Sequence, residues 1–373
     1  MEVSKSWVEI DLGAVVHNFL ALRRRVGAGV RVMAVVKSDA YGHGAPQVSR
    51  ALAEAGAEVF GVATVEEGVA LREVGIDLPI LVLGCIFKEE IGDIIRYSLI
   101  PNLCSEPLAL ELSRRAGDTV VKVHVKVDTG MGGLGVRPEE AIRFVEGVVR
   151  FKNLFLEGIF THFSSSCQED KGCTYEQIRV FKDILARLGA LGIEIPLRHM
   201  ANSGAILDVP MSYFNMVRPG LLLYGLYPAD KVRRSVEVRP VMTLKSRLAF
   251  FKYLCVGDTV SYERTFRASR PTRVGILPVG YDNGYSLSLS NKGEVVIRGR
   301  RLPVIGRVRM NHIQVDTTDL PEAEVGDEAI LYGGQFPSAV SVEDVARLTG
   351  TIPYQVVCAT GRTNPRVYLN GTN

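Results

Sequence analysis

Between residues 30 and 220 the chain repeats one pattern, a short apolar run followed by a longer amphipathic stretch, eight times over. The runs lie at 32–36, 59–63, 80–83, 99–103, 120–127, 155–163, 197–201 and 216–218. Apolar residues without alternation, as in Val32-Met33-Ala34-Val35-Val36, read as a strand buried on both faces, the kind that pairs in parallel. Helical spacing fills the intervals, for example at 45–55, 65–74, 138–149 and 175–191. Eight strands separated by helices predict a (β/α)8 TIM-type barrel, not an open sheet. Asp11 is placed to cap a preceding helix over 12–26.

After residue 236 the texture changes. Strand-like runs at 241–250, 274–278, 294–297, 302–308 and 313–316 are separated by Gly, Pro, Asn and Asp, and a helical pattern returns only at 342–348. This predicts an α/β barrel domain over 1–235 followed by a mostly antiparallel β domain over 236–373. With 373 residues and 47% hydrophobic content, the chain can fill such cores without disulfides. A net charge of +3 and no basic run interleaved with aromatics give nucleic-acid binding no support. No stretch approaches the roughly 18 consecutive apolar residues of a membrane span. Acids at Glu2, Glu9 and Asp11 replace the apolar stretch of a signal peptide, so a cytoplasmic protein is expected. Its six cysteines are scattered without CxxC spacing and are expected to be reduced. His162, Cys167 and Cys173 match no zinc spacing, and no metal is expected.

The first run ends in Val35-Val36-Lys37-Ser38-Asp39-Ala40-Tyr41-Gly42-His43-Gly44. A lysine behind a strand is ordinarily a solvated surface residue. At the carboxyl end of a buried barrel strand, however, it stands where such folds place their chemistry. Burial there lowers an amine's pKa and makes it a usable nucleophile or Schiff-base former.

This segment closely resembles the cofactor-lysine signature of the alanine racemases. The resemblance extends over nearly the whole chain and implies the same barrel-plus-β-domain plan. It implies that Lys37 binds pyridoxal 5'-phosphate (PLP) covalently and that Tyr41 contacts the cofactor's phosphate. It further implies that Ser203, Gly220 and Leu221 contact the phosphate, and that Arg218 faces the pyridine nitrogen, oriented by His162. Barrels often build phosphate sites after strands seven and eight, and Asn202-Ser203-Gly204 and Arg218-Pro219-Gly220-Leu221 follow those runs here. A guanidinium cannot take up the ring proton, so electron withdrawal at Cα is weaker than with a carboxylate partner. That favours quick return of the proton over transamination.

Racemisation needs acid/base groups on opposite faces of Cα. Lys37 supplies one face. The segment Val260-Ser261-Tyr262-Glu263-Arg264 resembles the one carrying the opposite-face tyrosine, which makes Tyr262 the second base. Alone, Tyr262 would read as a half-buried strand residue. By the same resemblance Met310 and Tyr281 line the substrate side, and the β domain reaches the other subunit's barrel mouth. A head-to-tail homodimer with shared sites is therefore implied.

Four positions depart from the family pattern. Gly133 stands where an arginine usually holds the substrate carboxylate, and some members carbamylate the lysine matching Lys126 to balance that arginine. Asn311 replaces an aspartate, Glu263 replaces a glycine, and Arg362 lies where some members carry a tyrosine near the phosphate. The expected function is PLP-dependent interconversion of L- and D-alanine, with D-alanine going to cell-wall synthesis. A racemase for another amino acid, a non-catalytic PLP-binding protein and a decarboxylase of the same barrel type are the alternatives. Tyr262 disfavours the mere binder. Arg218 disfavours the decarboxylase.

Overall fold

The computed structural model describes residues 4–334 and 338–371. Its first half is the expected closed barrel of eight parallel strands. They are β2 (Arg31–Val35), β3 (Val59–Val62), β4 (Ile80–Val82) and β5 (Ile100–Leu103), then β6 (Val121–Lys126), β7 (Leu154–Phe160), β8 (Leu197–His199) and β9 (Met216–Val217). Each falls within or beside a predicted apolar run. The interior is packed: Met33, Val59, Leu81, Ile100, Phe160, Leu197 and Met216, each from a different strand, form one buried cluster.

The helices form as the spacing predicts, over Ala45–Glu54, Val65–Glu73, Pro138–Val149 and Gly172–Ala190. The capped helix is Leu12–Val26, with the Asp11 carboxylate accepting the Ala14 N–H at 3.0 Å. That bond satisfies one of the unpaired donors at the helix start.

Strands β10 (Met242–Arg247), β11 (Phe250–Leu254), β12 (Thr259–Val260), β13 (Phe266–Arg267) and β14 (Thr272–Leu277) begin the second half. β15 (Glu294–Ile297), β16 (Arg300–Pro303), β17 (Ile313–Asp316), β18 (Glu328–Gly333) and β19 (Arg366–Leu369) complete it. The predicted run at 241–250 takes in β10 and the start of β11, strands of different sheets, with Leu248 and Ala249 between them. The run at 302–308 keeps only its start as strand. The helix Pro353–Thr363 had no counterpart in the sequence reading.

Outside the barrel, the largest sheet has the order β16-β15-β18-β10-β1-β19. Its β1 is the chain's first strand, Ser6–Asp11, which runs antiparallel to β10 and parallel to β19. The chain thus starts in the second half's sheet, crosses into the barrel through the Leu12–Val26 helix, and returns. No helix among the described residues is long and apolar enough to cross a membrane.

Candidate active site

Lys37 lies two residues beyond the end of β2, at the carboxyl-end mouth of the barrel. The next four residues, Ser38, Asp39, Ala40 and Tyr41, all have φ between 53° and 55°. Left-handed backbone costs L-residues roughly 1–2 kcal/mol each, so such a turn must be held from outside. The Ser38 N–H donates to Glu67 Oε1 at 2.6 Å, and the Ala40 N–H to the Val36 carbonyl at 2.8 Å. Asp39 Oδ1 accepts the Ala45 N–H at 2.7 Å, and its Oδ2 pairs with Arg366 of β19 at 2.5 Å. The turn fixes Lys37 and Tyr41 relative to each other.

Seven of the residues singled out in the sequence line one cavity of about 320 Å³: Lys37, Tyr41, His162, Ser203, Arg218, Gly220 and Leu221. Lys126 and Tyr354 line it too, and among the described residues no aspartate or glutamate does. Three cationic side chains without a lining carboxylate make a site for an anion.

One wall suits a phosphate. Ser203 Oγ accepts the Gly220 N–H at 3.0 Å and the Leu222 N–H at 3.4 Å, which leaves its own hydroxyl proton to donate. A Cβ at Gly220 would lie 2.4 Å from the Tyr41 hydroxyl, so only glycine lets this backbone approach the tyrosine. Burial, then the neighbouring Tyr354, raises the Tyr41 pKa, so the phenol stays protonated and donates. Its ring packs between those of Tyr224 at 4.9 Å and Tyr354 at 5.8 Å.

A second part of the lining is built on Arg218, just beyond β9 and buried. Nη1 donates to His199 Nδ1 at 2.8 Å, and Nη2 to the Thr161 carbonyl at 2.7 Å and His162 Nδ1 at 3.2 Å. Burial lowers the arginine to about 9, so it stays charged at neutral pH. His162 is pushed down to about 3, by burial first and then by Arg218, Lys126 and Lys37, so it is neutral. Burial and Arg218 also lower Lys126, whose ammonium lies 5.7 Å from the Phe160 ring.

The other three residues singled out do not line this cavity. Tyr262 is 66% exposed, Met310 53% and Tyr281 45%. Tyr262 does not sit in a strand; it occupies the turn Tyr262–Arg264, with Ser261, Glu263 and Arg264 at φ 66°, 59° and 50°. The three gather around Arg309, whose guanidinium lies 5.9 Å from the Tyr262 ring. Its carbonyl accepts the Tyr281 N–H, and that of Met310 accepts the Asp282 N–H, both at 3.1 Å.

Gly133 lies in an exposed loop that wraps the Asp128 carboxylate, which accepts the N–H groups of Gly130, Met131, Gly132 and Gly133. Partial burial pushes Asp128 up, but these donors hold it below its usual pKa. Arg362 does not supply the expected tyrosine's place. It is exposed, further along the helix Pro353–Thr363, and that helix's first turn brings Tyr354 to the cavity instead. Sequence reasoning missed Tyr354; a proline opening an amphipathic stretch was the available signal. Among the described residues no cluster of three or more His, Cys, Asp or Glu could hold a metal.

Residues 10–228 match the family described as alanine racemase, N-terminal domain, and residues 241–368 match alanine racemase, C-terminal domain. The chain belongs to the alanine racemase family. The alanine racemase of Halothermothrix orenii is 44% identical over 367 residues, covering 98% of this chain and 97% of that protein. Alanine racemase 2 of Caldanaerobacter subterraneus subsp. tengcongensis is 40% identical over 371 residues, covering 99% and 96%. Among solved structures, the alanine racemase of Clostridium difficile superposes with a TM-score of 0.93 at 34% identity, covering 99% of this chain and 97% of that one. The Bacillus anthracis alanine racemase with bound L-Ala-P gives 0.91 at 31% identity, covering 100% and 97%. A barrel followed by antiparallel sheets is thus the alanine racemase plan, and Lys37 stands at its strand-end mouth.

Proposed function

We propose that this chain is a PLP-dependent isomerase that interconverts L- and D-alanine in the cytoplasm and supplies D-alanine for cell-wall synthesis. The observation that carries the reading is the convergence of Lys37, a phosphate-shaped wall and a buried arginine on one cavity that no carboxylate lines among the described residues. These residues fit PLP. Lys37 would hold it covalently, Tyr41, Ser203, Gly220 and Leu221 its phosphate, and Arg218, oriented by His162, its ring nitrogen. Bound there, PLP supplies the electron sink that makes the substrate's Cα proton removable.

The chain's own groups then divide the work. The Lys37 amine takes or returns the proton on one face, and the Tyr262 hydroxyl does so on the other. Arg218 accepts no proton, which limits electron withdrawal and favours reprotonation at Cα. Within one copy Tyr262, Met310 and Tyr281 lie off the cavity and exposed, a clustered aromatic and apolar surface of the kind that binds a partner. The second base therefore comes from another copy, in a head-to-tail homodimer with two shared sites. Residues 1–235 hold the cofactor, and 236–373 present Tyr262, with β1 lent to the second sheet.

A racemisation assay over alanine, serine, lysine and glutamate tests the reading. Alanine turnover should exceed the others; a faster competitor would overturn the substrate. Gly133 favours one second reading, a racemase for another amino acid, since it removes a charge that would grip the alanine carboxylate.

A further inference from the structure

Arg218 is a buried cation, and among the described residues no carboxylate forms an ion pair with it. The negative charge it reaches is remote. His199 Nε2 lies 2.9 Å from His124 Nδ1, and His124 Nε2 lies 3.4 Å from Glu157 Oε2. Glu157 Oε1 accepts the Lys122 ammonium at 2.7 Å, where the side chain of Lys122 meets solvent.

The direction of this chain is forced. A guanidinium only donates, so His199 Nδ1 must accept from Arg218. A neutral His199 then carries its proton on Nε2 and donates to His124 Nδ1. His124 in turn keeps its proton on Nε2 and faces the carboxylate with it. Burial holds both histidines below their usual pKa, and Glu157 is pulled down to about 2, first by His124 and also by Lys122. Every donor therefore meets an acceptor in one arrangement only.

The backbone is shaped for this contact. Val123 pairs with Leu156 and His124 with Gly158, so Glu157 is the extra residue of a β-bulge, a device that re-aims a side chain. A Cβ at Gly158 would lie 2.4 Å from the His124 ring. Phe160 stacks on His199 at 4.8 Å and 6°.

We propose that Glu157 is a positioning residue for Arg218, acting through His124 and His199 as a one-way hydrogen-bond chain that locks the guanidinium against the cavity. The bearing on catalysis rests on the racemase reading; the chain itself does not. Without the carboxylate, His124 loses the acceptor that fixes its tautomer. His199 can then present a proton to Arg218, and two donors face each other.

The test uses the full-length chain with 15N-labelled histidine, read by NMR without cofactor and then assayed with PLP and alanine. The wild-type protein should show His124 and His199 as Nε2–H tautomers. Glu157→Leu should show mixed tautomers and lose about tenfold in kcat while KM changes less than about twofold. Glu157→Gln keeps the shape and should fall between, and Glu157→Asp should restore much of both signals. Unchanged tautomers in Glu157→Leu, whether kcat falls or not, overturn the proposal. A wild-type chain that racemises nothing sinks the functional reading instead, and the tautomers alone then decide the chain.

Discussion

Arg366 Nη2 lies 2.5 Å from Asp39 Oδ2, so the last strand of the chain clamps the left-handed turn behind Lys37. Asp39 also accepts the Ala45 N–H, and one carboxylate therefore ties the turn to both a helix start and the second sheet. Asp39→Ala should cost about 1–3 kcal/mol in urea unfolding, because it removes a cap and a charge-assisted bond together. The variant should also release PLP more readily on dialysis. Retention equal to wild type would mean that the turn holds itself.

Lys37 is expected to carry the cofactor. Borohydride reduction of the PLP-loaded protein, followed by peptide mapping, should place the modification on a peptide containing Lys37. Lys37→Ala should yield no modified peptide. Modification elsewhere would sink the assignment.

Tyr262→Phe should keep the absorbance of bound PLP and lose racemisation by about 10²–10⁴, the usual contribution of a positioned acid/base group. Turnover within twofold of wild type would remove Tyr262 from the mechanism. Mixing this variant with Lys37→Ala should recover activity in part, since a mixed dimer retains one complete site.

Acid should destabilise the fold through its buried histidines. Burial holds His43 down to about 4 and His162 down to about 3, against about 6.5 in the unfolded chain. Below pH 6.5 the unfolded state therefore binds protons that the folded state refuses. Stability present in full above that pH falls as pH drops toward 3–4, by up to about 1.4 kcal/mol per pH unit for each such group. Urea midpoints measured from pH 7 to 5 should fall steeply, and His43→Gln should flatten the slope by one group's share. An unchanged slope in that variant would contradict the assignment.

Gly133→Arg should be tolerated, because a Cβ there meets only Met131 Cγ, at 4.0 Å. A restored charge-assisted contact to the substrate carboxylate should lower the KM for alanine by roughly tenfold or more. A rise in KM, or no change, would show that the loop does not reach the substrate.

The barrel was legible because strands buried on both faces leave unbroken apolar runs, and Val32 to Val36 announces itself without any partner. The cavity was legible for a related reason: barrel chemistry collects at strand ends, so Lys37, His162, Ser203 and Arg218, which line it together, could be located by counting strands. Tyr354 was not, since a helix far along the sequence delivers it and no local pattern says where that helix docks. Tyr262 misled when read alone. Strand propensity gave way to a turn with three left-handed residues around it. The Glu157 bulge was invisible too, because a one-residue offset between two strands is a property of the pair.

Strand β1 has a consequence for how the protein comes into being. Ser6–Asp11 is synthesised before every barrel strand, yet its two neighbours, β10 and β19, follow the whole barrel in sequence. Until then its backbone donors and acceptors are unpaired, a ready template for stray association. Contacts so distant in sequence also slow closure of the fold. A nascent barrel therefore waits with β1 unpaired until β10 and β19 are made, and truncation near Arg366 should produce aggregation rather than a smaller enzyme.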